Sequence, residues 1–305
     1  MPRSLGEGGP SITIKMKAVS AYIAGWKAVF RNGRMWLALY LLNFLLALLA
    51  AIPFSGYLGK TIGQSLEPGR NLSGFNYTFI NDFIREYGQG LSPILDASMG
   101  FILLYLFFSV ALMGGILLVF RHFSEPFQWG LFRQGCFRFF WRLLRLTVYF
   151  MLLHVAVLGL FGGFFYLATG GLAILQMETE LELVRPLYFI LPVYLLVALA
   201  LFMVQDYAKV HVVQVDETLL TRPIRQAFGL VFRNFGPFFL LYLLNIASLL
   251  VLFTLYWWVS SRFQATSGRT IAWLFMLGQA FIVGRIGLRL LNLSSATYLY
   301  QKVID

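Results

Sequence analysis

The chain predicts an all-α fold: a polytopic membrane protein with six transmembrane helices in three hairpin-like repeats, each preceded by a cytoplasmic interfacial amphipathic helix. Three observations carry this. Apolar residues make up 59% of the 305 residues and charged residues only 12%. That is about half the charged share of a soluble domain, too little to cover a water-facing surface. Six apolar stretches are long enough, or nearly so, to cross a bilayer, which takes roughly 20 helical residues. Finally, two segments about two hundred residues apart nearly coincide. Val29-Phe30-Arg31-Asn32 leads to Leu39-Tyr40-Leu41-Leu42-Asn43, and Val231-Phe232-Arg233-Asn234 leads to Leu241-Tyr242-Leu243-Leu244-Asn245 with the same spacing. A repeat that covers the start of a buried helix describes a repeated building unit.

Residues 1–14 carry Gly6, Gly8, Gly9 and Pro10 without periodicity and are expected as a mobile tail; residues 15–305 are expected as a single transmembrane domain. In the amphipathic helix that follows, Val19, Tyr22, Ile23, Trp26 and Phe30 share one face. Lys17, Lys27, Arg31 and Arg34 fall around the other, the pattern of a helix in the inner interface. Met35–Phe54 is the first span. The outer loop 55–98 is much longer than a tight turn, and Phe75, Phe79, Phe83 and Tyr87 recur in it every four residues. They predict a helix outside the membrane, either a cap on the bundle or a lid over a cavity. Asn76-Tyr77-Thr78 matches the short glycosylation pattern.

Met99–Phe120 is the second span. Ser124-Glu125-Pro126 then reads as the start of a second amphipathic helix, with Phe132, Cys136, Phe139, Phe140 and Leu143 among Arg133, Arg138, Arg142 and Arg145. Leu146–Ala168 and Leu187–Val204 are the third and fourth spans, joined by a loop that holds Glu178, Glu180 and Glu182. Thr221-Arg222-Pro223 reads as a third helix start, with a capping hydroxyl and Pro in the first turn. Ile224, Phe228, Val231 and Phe235 form its apolar face. Pro237–Ser260 and Thr270–Leu291 complete the set. The first five spans lack Asp, Glu, Lys and Arg; the sixth holds Arg285 and Arg289 on one face near its end, where they can snorkel to headgroups.

Eighteen of the 24 Lys and Arg fall in the N-terminal arm, the second and fourth loops and the C-terminal segment. By the positive-inside rule both termini are expected to be cytoplasmic. The net charge of +11 then faces anionic lipid heads. Membrane lipids are the expected partners, with a protein partner or a second copy as further candidates. Nucleic acid is not expected, because the basic residues flank spans instead of forming a stripe. The first apolar run is too long for a signal peptide and lacks a small-residue cleavage site, so it is expected to stay as a helix. The single cysteine, Cys136, allows no internal disulfide.

Asp206-Tyr207-Ala208-Lys209, the basic amphipathic helix after it, Gly236-Pro237 and the late Ala296-Thr297-Tyr298-Leu299-Tyr300 resemble a group of bacterial six-span membrane proteins. The pattern is similar to the membrane domain fused to some glycerophosphodiester phosphodiesterases and to related families of unknown function. The resemblance implies the six-span fold over most of the chain. It implies no hydrolase activity, because the catalytic barrel of those enzymes, roughly 250 residues, is absent.

The residues themselves point away from catalysis. His122, His154 and His211 are far apart and never at i, i+4, so neither metal nor other cofactor is expected. No nucleophile elbow or Walker loop occurs. Gly159-x-x-x-Gly163 reads as a close helix contact. Asn43, His154 and Asn245 form a candidate intramembrane polar cluster. His154 is either an ionisable functional group or a neutral imidazole bonded to Asn43 or Asn245 of a neighbouring helix. Asp206, Lys209, Arg285 and Arg289 form a candidate cytoplasmic ion-pair cluster that locks helix ends. The expected function is non-enzymatic: a scaffold or partner-binding membrane component. The alternative is a transporter or permease subunit for a small or lipid-like solute, which a continuous polar cavity reaching the midplane would separate from the first.

Overall fold

A computed structural model describes residues 10–63, 77–123, 125–171 and 180–304. Eight helices follow one another in the described residues: α1 (Pro10–Arg31), α2 (Gly33–Thr61), α3 (Tyr77–Arg121), α4 (Trp129–Ala168), α5 (Glu180–Val215), α6 (Thr221–Arg233), α7 (Phe235–Ser260) and α8 (Gly268–Ile304). No strand occurs among them. Six helices are long and apolar enough to cross a membrane: α2, α3, α4, α5, α7 and α8. The expected spans lie within these six. Large apolar side chains such as Leu45, Phe107, Leu152, Phe189 and Phe253 are exposed on them, which makes a belt for lipid.

α1 and α2 are separate helices with one residue between them. Asn32 leaves helical geometry at φ −96°, ψ 34°, and its Nδ2 donates to the Ala28 carbonyl at 2.8 Å. Asn234 breaks α6 from α7 in the same manner, at φ −120°, ψ 37°, with Nδ2 donating to the Leu230 carbonyl at 3.2 Å. Asn suits the place because its short amide satisfies a helix-end carbonyl that would otherwise go unbonded.

α1 packs into the bundle through its small residues. Val19, Ile23 and Phe30 point outward, while Ala18, Ala21 and Ala28 are buried. Small residues let this helix dock on α8, where the Gly25 carbonyl accepts a hydrogen bond from Ser294 Oγ at 3.2 Å. Tyr22 and Ser248 join it to α7 through their hydroxyls at 2.6 Å. In a bilayer, association follows close packing more than apolarity, so small residues go inside and large ones meet lipid.

The helix starts differ from expectation in four places. Residues 10–14, expected in the tail, already belong to α1. The outer amphipathic helix is the first part of α3 and runs into the second span without a break, with Phe79, Phe83 and Tyr87 in ring contact along one face. The second amphipathic segment starts at Trp129, not at Ser124-Glu125-Pro126, and continues straight into its span. No Asn or Pro interrupts it between Arg133 and Ala168, so the helix carries on. Thr221 is the first helical residue of α6 and makes no capping bond; Phe235 begins α7 and is exposed. Phe75, Asn76 and Glu178 lie outside the described residues; Glu180 and Glu182 fall in the first turn of α5.

Glycine sets the tightest hairpin, α3 against α4. A Cβ on Gly114 would sit 2.5 Å from the Gly135 carbonyl oxygen, and one on Gly135 would sit 2.7 Å from that of Gly114. The expected Gly159-x-x-x-Gly163 contact is not made among the described residues: none of them lies within 4 Å of a Cβ at either position. The helices α3, α5 and α8 end side by side. Arg121 there donates to the Val213 carbonyl at 3.1 Å, and Gln301 donates to the Arg121 carbonyl at 3.4 Å.

Candidate functional site

The residues of the expected intramembrane cluster are not joined by hydrogen bonds. His154 Nδ1 lies 2.7 Å from the Phe150 carbonyl of its own helix, and its ring lies on Phe202, centroids 4.4 Å apart. Neither Asn43 nor Asn245 is its partner. Asn245 Nδ2 donates to Asn292 Oδ1 at 3.1 Å. Asn43 Nδ2 turns back to the Leu39 carbonyl at 2.7 Å.

The expected ion-pair cluster divides in two. Asp206 Oδ1 takes Lys209 Nζ at 3.2 Å. Its other oxygen accepts from Asn292 Nδ2 at 3.0 Å and from the Tyr242 hydroxyl. With Asn245 this makes a continuous, half-buried polar network across α5, α7 and α8, where isolated polar groups would be costly. Arg285 and Arg289 take no part in it. Arg289 Nη2 instead donates to Ser109 Oγ of α3 at 2.8 Å. Among the described residues neither arginine forms an ion pair.

Both arginines line a cavity of about 350 Å³ between α2, α3 and α8, with Asn43, Ser109 and Tyr105 as its other polar residues. Leu39, Leu42, Phe108 and Leu112 close its sides, and the lining holds no carboxylate. A second hollow of about 700 Å³ continues from it, sharing Asn43, Leu46, Tyr105 and Ile282. Its walls are apolar, built from Phe44, Ala50, Phe54 and Phe101 among others. Leu48, Ile102 and Phe275 at its rim are exposed, so this hollow is open at the outer surface of the helix bundle. Among the described residues two side-chain hydrogen bonds hold α2 against α8 around it: Trp36 Nε1 to the Val283 carbonyl at 2.9 Å and Tyr40 to Gln279 at 3.1 Å.

Sequence reading missed this site because its parts come from three distant helices. The usable signal was the spacing of Arg285 and Arg289, one turn apart in an apolar helix. It also missed Asp216, between α5 and α6. This residue has φ 60° and grips α4 through Arg142 Nη1 at 2.7 Å and through Arg138. Burial pushes its carboxyl pKa up, but the bonds and charges of Arg142 and Arg138 outweigh this and hold it below its ordinary value.

No group of three or more His, Cys, Asp or Glu comes together as a metal-binding set among the described residues. Comparison with protein-family models, with curated proteins and with solved structures finds no match.

Proposed function

We propose that this protein is a non-enzymatic component of the bacterial inner membrane that takes a lipid-like solute out of the bilayer into the hollow between α2, α3 and α8. This is the permease-type reading. One observation carries it: an apolar hollow open at the outer surface of the helix bundle leads to a pocket with two arginines and no carboxylate. A scaffold needs no such graded interior, whereas a binding site for an amphiphile needs one apolar end and a few placed polar groups. The topology proposed with it has both termini in the cytoplasm, from the distribution of Lys and Arg.

Photolabelling tests the reading. The purified protein is reconstituted with a phospholipid that carries a photoreactive acyl chain, and labelled positions are mapped. Labels are expected to concentrate on α2 and α3 around Ala50 and Phe101, and Ala50→Phe, which fills the hollow, is expected to remove them. Even labelling of the whole lipid belt, unchanged by Ala50→Phe, would return the protein to the scaffold class.

A further inference from the structure

We infer that the arginine pocket recognises the headgroup of one class of lipid: an amphiphile ending in a phosphate monoester, with its chain in the adjoining apolar hollow. The inference rests on the permease-type reading and names the ligand chemistry of the same site.

Arg285 and Arg289 are four residues apart on α8 and both border the pocket. An unpaired Arg within a span is costly and rare, and as a rule faces the bundle interior or reaches the interface. Snorkelling would lower that cost by carrying each guanidinium toward the interface. Arg289 does otherwise: it is held across the bundle on Ser109 Oγ at 2.8 Å. The pocket therefore keeps at least one guanidinium directed inward, with donors to spare, since Arg carries five N–H groups and Ser109 takes one.

Charge selects the headgroup. A phosphate monoester carries about −1.5 to −2 at neutral pH and offers three acceptor oxygens, which matches two guanidinium forks. A zwitterionic head would bring an ammonium beside the same two arginines, and the lining has no carboxylate to receive it. Asn43, which gives one Nδ2 hydrogen to the Leu39 carbonyl, keeps its second N–H as a donor for a phosphate oxygen and its amide oxygen as an acceptor for a glycerol hydroxyl.

Depth agrees with a lipid source. At about 1.5 Å per residue, Arg285 lies roughly 25 Å along α8 from Gly268. In the proposed topology this is the inner-leaflet part of a hydrocarbon layer about 30 Å thick. The apolar hollow extends from the pocket toward Phe54 and Phe275, farther from the end where α3, α5 and α8 meet, in the direction an inner-leaflet acyl chain runs.

The test measures binding to the protein in micelles by native mass spectrometry. The probes are dioleoyl phosphatidic acid, dioleoyl phosphatidylcholine and soluble glycerol 3-phosphate. Phosphatidic acid is expected to bind at least ten-fold more tightly than phosphatidylcholine, with glycerol 3-phosphate failing to displace it. The double substitution Arg285→Gln with Arg289→Gln is expected to erase the preference. Arg225→Gln, on the exposed face of α6, is expected to leave it intact. The pair Arg285→Lys with Arg289→Lys keeps the charge but loses the forks, and is expected to retain part of it; this variant decides the matter if the neutral one does not fold. If phosphatidylcholine binds equally well, the headgroup inference falls and the permease-type reading stands. Equal loss in Arg225→Gln assigns the preference to diffuse surface charge and overturns the inference. Displacement by glycerol 3-phosphate overturns the lipid source, and binding of neither lipid removes both readings.

Discussion

The stretch from Val29 to Asn43 and the stretch from Val231 to Asn245 begin alike. Val29 and Val231 are buried, Phe30 and Phe232 are exposed, and an Asn interrupts the helix two residues later. Met35 and Pro237 are buried next, then Leu39 and Leu241, and both tyrosines reach a neighbouring helix. The likeness ends at the second asparagine. Asn245 bonds to Asn292 and through it to Asp206. Asn43 bonds only to its own helix and borders the arginine pocket. The bend and the burial register are local properties that the copied residues carry with them. What a polar residue does after the bend depends on the helix facing it. α7 meets Asn292 and Asp206, while α2 meets Gln279 and a space.

The contact made before the bend gives the sharpest way to break the likeness. Gly25 and Ala227 occupy equal positions in the two copies. A Cβ on Gly25 would fall 2.9 Å from Ser295 Cβ and 3.1 Å from Leu291 Cδ1, and both belong to the well-packed core of α8. Gly25→Ala is expected to destabilise the protein by about 1–3 kcal/mol, the usual cost of overpacking. Ala227→Gly is expected to cost only about 0.5–1 kcal/mol, the helix penalty of glycine. Thermal unfolding of both variants in the same micelles measures the difference. Equal midpoints would mean that α1 is not clamped on α8 more closely than α6 is on its neighbours.

The second asparagines sharpen the comparison. Asn245→Leu removes the bond to Asn292 and leaves Asn292 Oδ1 without its donor. The expected cost is about 0.6–1.7 kcal/mol, the range of interhelical polar contacts in bilayers. It stays at the modest end because the buried Asn245 Oδ1, which has no partner, goes as well. Asn43→Leu breaks no contact between helices and is expected to change stability by less than about 0.5 kcal/mol. A larger loss at Asn43 than at Asn245 in the same unfolding assay would contradict this division of roles.

These cases show what the residues disclosed on their own. The six spans were legible because long apolar runs leave a chain little choice in a bilayer. The bends were legible because Arg-Asn stands before both runs. The second unit was not, since a helix stops only where something stops it, and nothing between Trp129 and Ala168 does. Glycine motifs misled for a related reason. Gly159-x-x-x-Gly163 has the spacing of a contact but faces no partner among the described residues, whereas Gly25 fits no motif and lies against Ser294 and Ser295. The pairing of Asp206 with Lys209 could be read because the two are three residues apart on one helix. Its bonds to Asn292 and Tyr242, and the pocket around Arg285 and Arg289, depend on which helices lie side by side, and no periodicity encodes that.

The unit without a bend should show a small effect, and one set by pH. Where α1 and α6 turn at an Asn, α4 runs straight, and Arg138 and Arg142 tie it to Asp216. The Asp216 carboxyl is partly exposed and its pKa lies below the ordinary 3.8 of an aspartate. A pKa lowered by folding means that the native state favours the ionised form. The stabilisation is then complete above the unfolded value and is lost as pH falls through the lower, folded one. Asp216→Asn removes the charge yet keeps a residue that tolerates φ 60°, so the backbone turn survives. At pH 7 the substitution is expected to cost about 0.2–1 kcal/mol, the range of partly exposed ion pairs. The gap between variant and parent should stay constant from pH 8 to about pH 5 and close below the aspartate range. High salt should narrow it at neutral pH as well, because screening weakens the pair. A variant as stable as the parent at every pH would show that Asp216 holds α4 through its backbone carbonyl, which also accepts from Arg142 at 3.2 Å, and not through its charge.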